Sequence, residues 1–320
     1  MPPAPALSTM WLQTRYDRVV DFARAAWDIG FRRFELSHIL PAAAFDGFVS
    51  GEWDVAAVHH PVPRPATHVP HLSDPDPERR WLAVAHARGS LDTAARYGAS
   101  AVVFHIGDIP ELECLEDELR SRTLARQQTK PEYAAAVARF EAGRARWREP
   151  YLAAALDSLL RLADDAARLG VQLGLETREF AREIPDLDDM AILLDALPPE
   201  VAGMWLDTGH VAVTARLGRP SLRDWLAHHG DRLIGLHLHD CLDLRDHLLP
   251  GQGDVHFAAL TPYLTPNTVR TCELDWFYTP AELRAGVARL AAAGVCTPLA
   301  SYAFAFRRNL CYTHSRFSRP

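Results

Sequence analysis

Eight histidines and carboxylates stand at, or just after, the C-terminal ends of strand-like segments: His59, His105, Glu176, Asp207, His210, His237, His247 and Glu273. Imidazole nitrogens and carboxylate oxygens are the donors that hold divalent cations, and strand ends are where α/β barrels carry their chemistry. In GMWLDTGH, Asp207 closes a strand and His210 follows three residues on, where the first turn directs it back at the same pocket. In LIGLHLHDC, His237 and His239 are two apart, so a strand points both to one face. Two imidazoles buried side by side need a partner for each nitrogen, and a metal supplies one. Glu176 in VQLGLETRE and Glu273 in RTCELDW end apolar strands, where a buried carboxylate requires a cation or several donors. Any one of these residues alone reads as a hydrogen-bonded loop or core residue. Their recurrence on successive strands predicts a metalloenzyme.

The elements that must position them alternate along the chain. Strands are expected at Ser8–Gln13, Phe31–Ser37, Val55–His59, Ala101–His105, Val171–Thr177, Ala202–Asp207, Leu233–His239 and Val269–Leu274. Several are continuous apolar runs, as buried parallel strands are. Helices are expected at Arg15–Ile29, Pro77–Tyr97 and Tyr151–Leu169, stopped by Gly30, Gly98 and Gly170, and at Pro280–Ala293 before Gly294. Eight such units predict one (β/α)8 TIM barrel over residues 1–293. An open doubly wound sheet is the alternative, but no GxGxxG turn follows the first strand, so a dinucleotide site lacks support. Residues 109–149, rich in Glu and Arg, exceed what a βα connection needs. They read as an extra helix or lid after the fourth strand, or as a solvated charged excursion. Residues 294–320 form a C-terminal extension.

With 320 residues and 48% hydrophobic composition, the chain suits one barrel-sized core. A formal charge of −7 disfavours nucleic acid and anionic membranes as partners. Five cysteines without a CxxC pair, no signal-like N-terminus and no apolar run of about 18 residues point to a cytoplasmic protein. Lys130 is the only lysine and lies in a charged, poorly apolar segment, which leaves lysine chemistry almost no candidate. Homo-oligomerisation stays open.

The motifs VHHP, VVFHIGD, LGLET, LDTGH, HLHDC and DHLLPGQGD, with the strand carrying Glu273, resemble the xylose isomerase-like barrels, which include sugar isomerases, epimerases and endonuclease IV. The resemblance runs over roughly residues 8–293. It implies a central divalent metal (Zn or Mn, with Mg or Co as further options) held by Glu176, Asp207, His237 and Glu273. It also implies a second metal with His59, His105 and Glu176, and a third with His210 and His247. His59 is preferred over His60 as the ligand of VHHP. An Asp is expected two places before His247, where this chain has Arg245, with Asp246 one place off, which puts the third metal in doubt. The Gly-rich DHLLPGQGD segment resembles a loop of the sugar branch that closes over the site, and Asp254 is placed to cap a helix after it.

Arg178, His239, Trp276 and Tyr278 are expected to face a substrate. Two chemistries follow. In one, Glu176 and Glu273 are acid and base in a metal-dependent isomerase, epimerase or lyase acting on a sugar, keto-sugar or polyol through an enediolate. In the other, zinc ions hydrolyse a phosphodiester as endonuclease IV does. A non-catalytic metal-binding barrel is the third reading.

Overall fold

The computed structural model describes residues 2–300. Eight strands close a parallel barrel. They are β1 (Ala6–Ser8), β2 (Arg33–Leu36), β3 (Asp54–His59), β4 (Ala101–Phe104), β5 (Gln172–Glu176), β6 (Ala202–Asp207), β7 (Leu233–Leu238) and β8 (Val269–Cys272). Each pairs with its sequence neighbours, and β1 pairs with β8. Around them run α1 (Val19–Ile29), α2 (Pro77–Tyr97), α3 (Glu113–Leu124), α4 (Pro131–Leu169), α5 (Leu187–Asp195), α6 (Thr208–Arg216), α7 (Leu222–His229) and α8 (Pro280–Ala292). The β2–β3 and β7–β8 connections use short 3-10 turns, Ala42–Phe45 and Phe257–Tyr263, in place of α-helices. Among the described residues no helix is long and apolar enough to cross a membrane.

The expected strands are all present, with one displaced. β1 ends at Ser8, where Ser8–Gln13 was expected, because the Ser8 hydroxyl accepts from the Met10 amide and turns the chain into a 3-10 helix over Thr9–Leu12. The first helix starts at Val19, later than Arg15, after Thr14 takes a left-handed backbone (φ 57°). The charged segment 109–149 is not a solvated excursion. It forms α3 and the first half of α4, a continuous helix of 39 residues that runs on through Pro150. Arg144 is buried in α4 and bonds Asp186 and Asp189 and the carbonyls of Ala181 and Glu183, which pins the long helix to the β5–α5 loop. Asp254 caps no helix: it pairs with Arg216, and the next element is the 3-10 turn beginning at Phe257. The C-terminal extension expected over 294–320 lies outside the described residues from 301 onward.

Small residues line the barrel floor and leave room for one large ring. Trp205 of β6 packs with Ala6, Ala56, Ala101, Val103 and Val269. A Cβ on Gly235 of β7 would fall within the Trp205 ring, and one on Gly174 of β5 would press on its edge. The ring reaches upward to His237, 5.4 Å away between centroids, so the floor supports the residues above it. Gly235→Ala is expected to lower unfolding free energy by about 1–3 kcal/mol through overpacking. Gly89→Ala, on an exposed face of α2 with open space around it, is expected to raise it by about 0.5–1 kcal/mol. Denaturant unfolding of the two variants beside the parent checks both signs.

Candidate active site

Register brings the site together. Asp207 at the end of β6 pairs directly with His237 of β7, and His237 in turn pairs with Thr271 of β8. Glu176 ends β5, and Glu273 follows β8. All four are buried. His237 Nδ1 lies 3.0 Å from Glu176 Oε1, 3.0 Å from Glu273 Oε2 and 3.5 Å from Asp207 Oδ2. One potential ligand atom from each of the four falls within 4.8 Å of all the others.

Two flanks extend this centre. On one, His59 Nε2 and His105 Nε2 approach Glu176 Oε2 at 3.2 and 2.8 Å. Of the VHHP pair, His59 faces the centre, while His60 bonds the Ser90 hydroxyl and is pushed to a pKa of about 3 by burial. On the other flank, His210 follows Asp207, whose carboxylate accepts the His210 amide at the start of α6. Its Nδ1 is 3.5 Å from both Glu176 and Asp207, and its Nε2 is 3.5 Å from Asp246 Oδ2. Asp246 therefore reaches this flank although it stands one place from the expected position. His247 adopts a left-handed backbone (φ 51°), which absorbs the shift within the antiparallel ribbon of Asp240–Leu242 and Arg245–Leu248. The His247 ring stacks on His239 at 4.2 Å.

The residues expected to face a substrate divide. Arg178 enters the cluster, 3.3 Å from Glu176 Oε2 and 3.1 Å from Glu183 Oε1. Trp276 stays 42% exposed on the rim, its carbonyl accepting from Arg15. His239 is buried with both nitrogens engaged inside the protein: Nδ1 accepts the His247 amide and Nε2 faces Asp207 Oδ2 at 2.8 Å. Tyr278 is buried as well, its hydroxyl donating to Gln252 of the Gly-rich loop. That loop is tied down by Asp240, which accepts from the Gly251 and Val255 amides.

Sequence reasoning missed Glu35, inside β2, and His38, two residues beyond its end. Both Glu35 oxygens lie 3.1 Å from His237 Nε2. The His38 ring sits 4.8 Å from that of His59, with a pKa lowered to about 3 by burial and by the neighbouring His59. An acidic residue between Phe34 and Leu36, both core, was the available signal for Glu35.

A model of the family described as xylose isomerase-like TIM barrel matches residues 24–293. The chain belongs to that family. Among solved structures, this barrel is similar to Escherichia coli 3-keto-D-glucoside 4-epimerase in its apo form, at 17% identity over 91% of this chain and 99% of that one, TM-score 0.59. It is also similar to a Thermus thermophilus protein from a crystal soaked with ZnCl2, at 22% identity over 92% and 98%, TM-score 0.57. An uncharacterized Sinorhizobium fredii protein, y4fM, is 33% identical over 102 residues, a match covering 32% of each chain.

This family member's residues fit a divalent cation. Glu35, Glu176, Asp207 and Glu273 are buried together, and Arg178, the arginine among them, also serves Glu183. Glu176 Oε2 is approached by two imidazoles yet makes no hydrogen bond of correct direction, as when donor atoms converge on a shared point. Burial opposes charge on His237, but Glu273, Glu35 and Glu176 outweigh it and raise its pKa well above the ordinary value. Burial drives His105 the other way, well below its ordinary value, which suits a neutral donor. Metal analysis is expected to find at least one Zn²⁺ or Mn²⁺ per chain, and Glu176→Gln to lose it. Chelation should lower the thermal midpoint of the parent, since a ligand at about 100 times its Kd stabilises by about 2.7 kcal/mol, and should leave Glu176→Gln unmoved.

Proposed function

We propose that the protein is a metal-dependent epimerase or isomerase of a sugar or keto-sugar. The observation that carries this reading is the pair Glu176 and Glu273, each 3.0 Å from the same His237 nitrogen and supplied by β5 and by the residue following β8, with two strands between them. Two carboxyl groups converging from different sides of one pocket are what removal and return of a carbon-bound proton require. Similarity to a keto-glucoside epimerase supports the substrate class.

Glu176, Asp207, His237 and Glu273 would hold the cation, which supplies positive charge for the oxyanion that develops when a proton leaves the carbon beside a carbonyl. Glu273 takes that proton, because His237 is the one group its carboxylate meets among the described residues. Glu176 is held by His59, His105, Arg178 and His237. An epimerisation returns a proton to the opposite face from Glu176; an isomerisation returns it to the adjacent carbon from Glu273. Trp276, on the rim, covers the sugar face. His105 and His247 line the more open edge, 31% and 22% exposed, where substrate enters.

A second reading, zinc-dependent phosphodiester hydrolysis, draws on one observation: His59, His105, His210, Asp246 and His247 surround the centre with more candidate metal donors than proton transfer needs. The charge of −7 opposes it.

Incubation with a panel of ketoses and 3-keto-sugars in D₂O is expected to place deuterium at a carbon beside the carbonyl. Glu273→Gln should lower that exchange about 10²–10⁴-fold, the usual scale of general acid–base catalysis, while retaining fold. Exchange unchanged in Glu273→Gln would remove the assignment. Cleavage of an abasic-site duplex without exchange on any sugar would favour the hydrolase.

A further inference from the structure

The structure assigns Glu35 a positioning role: it fixes the His237 imidazole so that Nδ1 presents its lone pair to the cation site. This rests on the cation reading of the cluster but not on the substrate. A neutral imidazole carries one proton, and a nitrogen that ligates a metal cannot be the one that carries it. His237 Nδ1 is the nitrogen aimed at Glu176, Asp207 and Glu273, so with a cation bound the proton must sit on Nε2. Nε2 is buried and needs an acceptor there.

Glu35 is that acceptor, with both oxygens at 3.1 Å. The contact spans the barrel lumen, from β2 to β7, between residues 202 apart in sequence. Among the described residues nothing else bonds the Glu35 carboxyl, so its burial in the barrel has no other use on view. The Trp205 ring, set edge-on to His237 at 68°, limits the imidazole from below. Floor and acceptor together leave the ring one orientation. A carboxylate behind a ligating imidazole also raises the basicity of the ligand nitrogen, and loss of such a partner typically costs about 10–100-fold in metal affinity.

The test uses the full chain, stripped of metal and titrated with Zn²⁺ alone, for the parent, Glu35→Gln and Glu35→Asp. Glu35→Gln keeps the shape and removes the charge. Glu35→Asp keeps the charge and withdraws it by one methylene. Both are expected to bind Zn²⁺ about 10–100-fold more weakly, with metal-free thermal midpoints close to the parent's. The second readout is the long-range ¹H–¹⁵N spectrum of zinc-loaded, histidine-labelled protein, with His237 assigned by its absence from His237→Asn. The parent should show Nδ1 ligated and a strongly downfield Nε2–H, and Glu35→Gln should move that proton upfield. If either variant fails to fold, the other carries both readouts. Equal Zn²⁺ affinity with an unmoved Nε2–H overturns the role of Glu35 while leaving the cation site standing. Absence of Zn²⁺ binding by the parent overturns both.

Discussion

Glu35, Glu176, Asp207 and Glu273 converge inside the mouth of one barrel, and the His237 imidazole lies against all four. A buried carboxylate without a matching charge costs several kcal/mol, so this arrangement persists only if positive charge is supplied at its centre. The remaining structure serves that requirement. Strand register sets Asp207 beside His237. Trp205 fills the floor beneath, admitted by glycines at 174 and 235, and gives the imidazole a rigid base.

Loops over the mouth are fixed by the same device in miniature, a buried carboxyl group accepting backbone amides. Glu116 of α3 accepts from the Ala181 and Arg182 amides, holding the loop that carries Arg178 and Glu179. Asp240 accepts from Cys241, Gly251 and Val255 and folds the Gly-rich loop back over the ribbon. The charge of the segment after β4 therefore has a structural use. Its acidic and basic side chains bind the β5–α5 loop, through Arg120 to Glu179 and Arg144 to Asp186, where apolar packing would not specify a backbone path.

Much of the barrel was legible because buried parallel strands are continuous apolar runs and helix stops are glycines, as at Gly98 and Gly170. The convergence of the four central residues was legible because histidine and carboxylate recur at the ends of successive apolar strands, where one alone would read as a hydrogen-bonded core residue. Glu35 was not, since a single acidic residue in RFELS carries no spacing signal, and its partner is 202 positions away. Asp246 was discounted on register alone, and no sequence rule foretells that His247 takes φ 51° and turns the carboxylate inward. His239 was placed by its two-residue spacing from His237, and both do face Asp207, while Tyr278 was placed by its closeness to Glu273. Their hydrogen bonds, to Asp207 and the His247 amide and to Gln252, depend on loop paths that periodicity does not encode.

The two carboxylates of the proposed acid–base pair are held unequally, and that inequality has chemical content. Burial alone would raise the Glu176 pKa, yet the charges of Arg178 and His237 hold it well below the ordinary carboxylate value. A carboxylate so stabilised is a weak base. Its close approaches to His59, His105 and His237 make it the group that sets the distance between the His59–His105 flank and His237. Glu273 stands beyond the last residue of β8, bonded to one imidazole and separated from the rim residues Asp275 and Trp276 only by the buried Leu274. A group with one partner can exchange it for a substrate proton at little structural cost, whereas moving Glu176 would disturb five contacts together. The division assigns proton removal to Glu273, held by a single imidazole, and leaves Glu176, fixed by many partners on the opposite side, to return a proton that a weakly basic carboxyl group gives up readily.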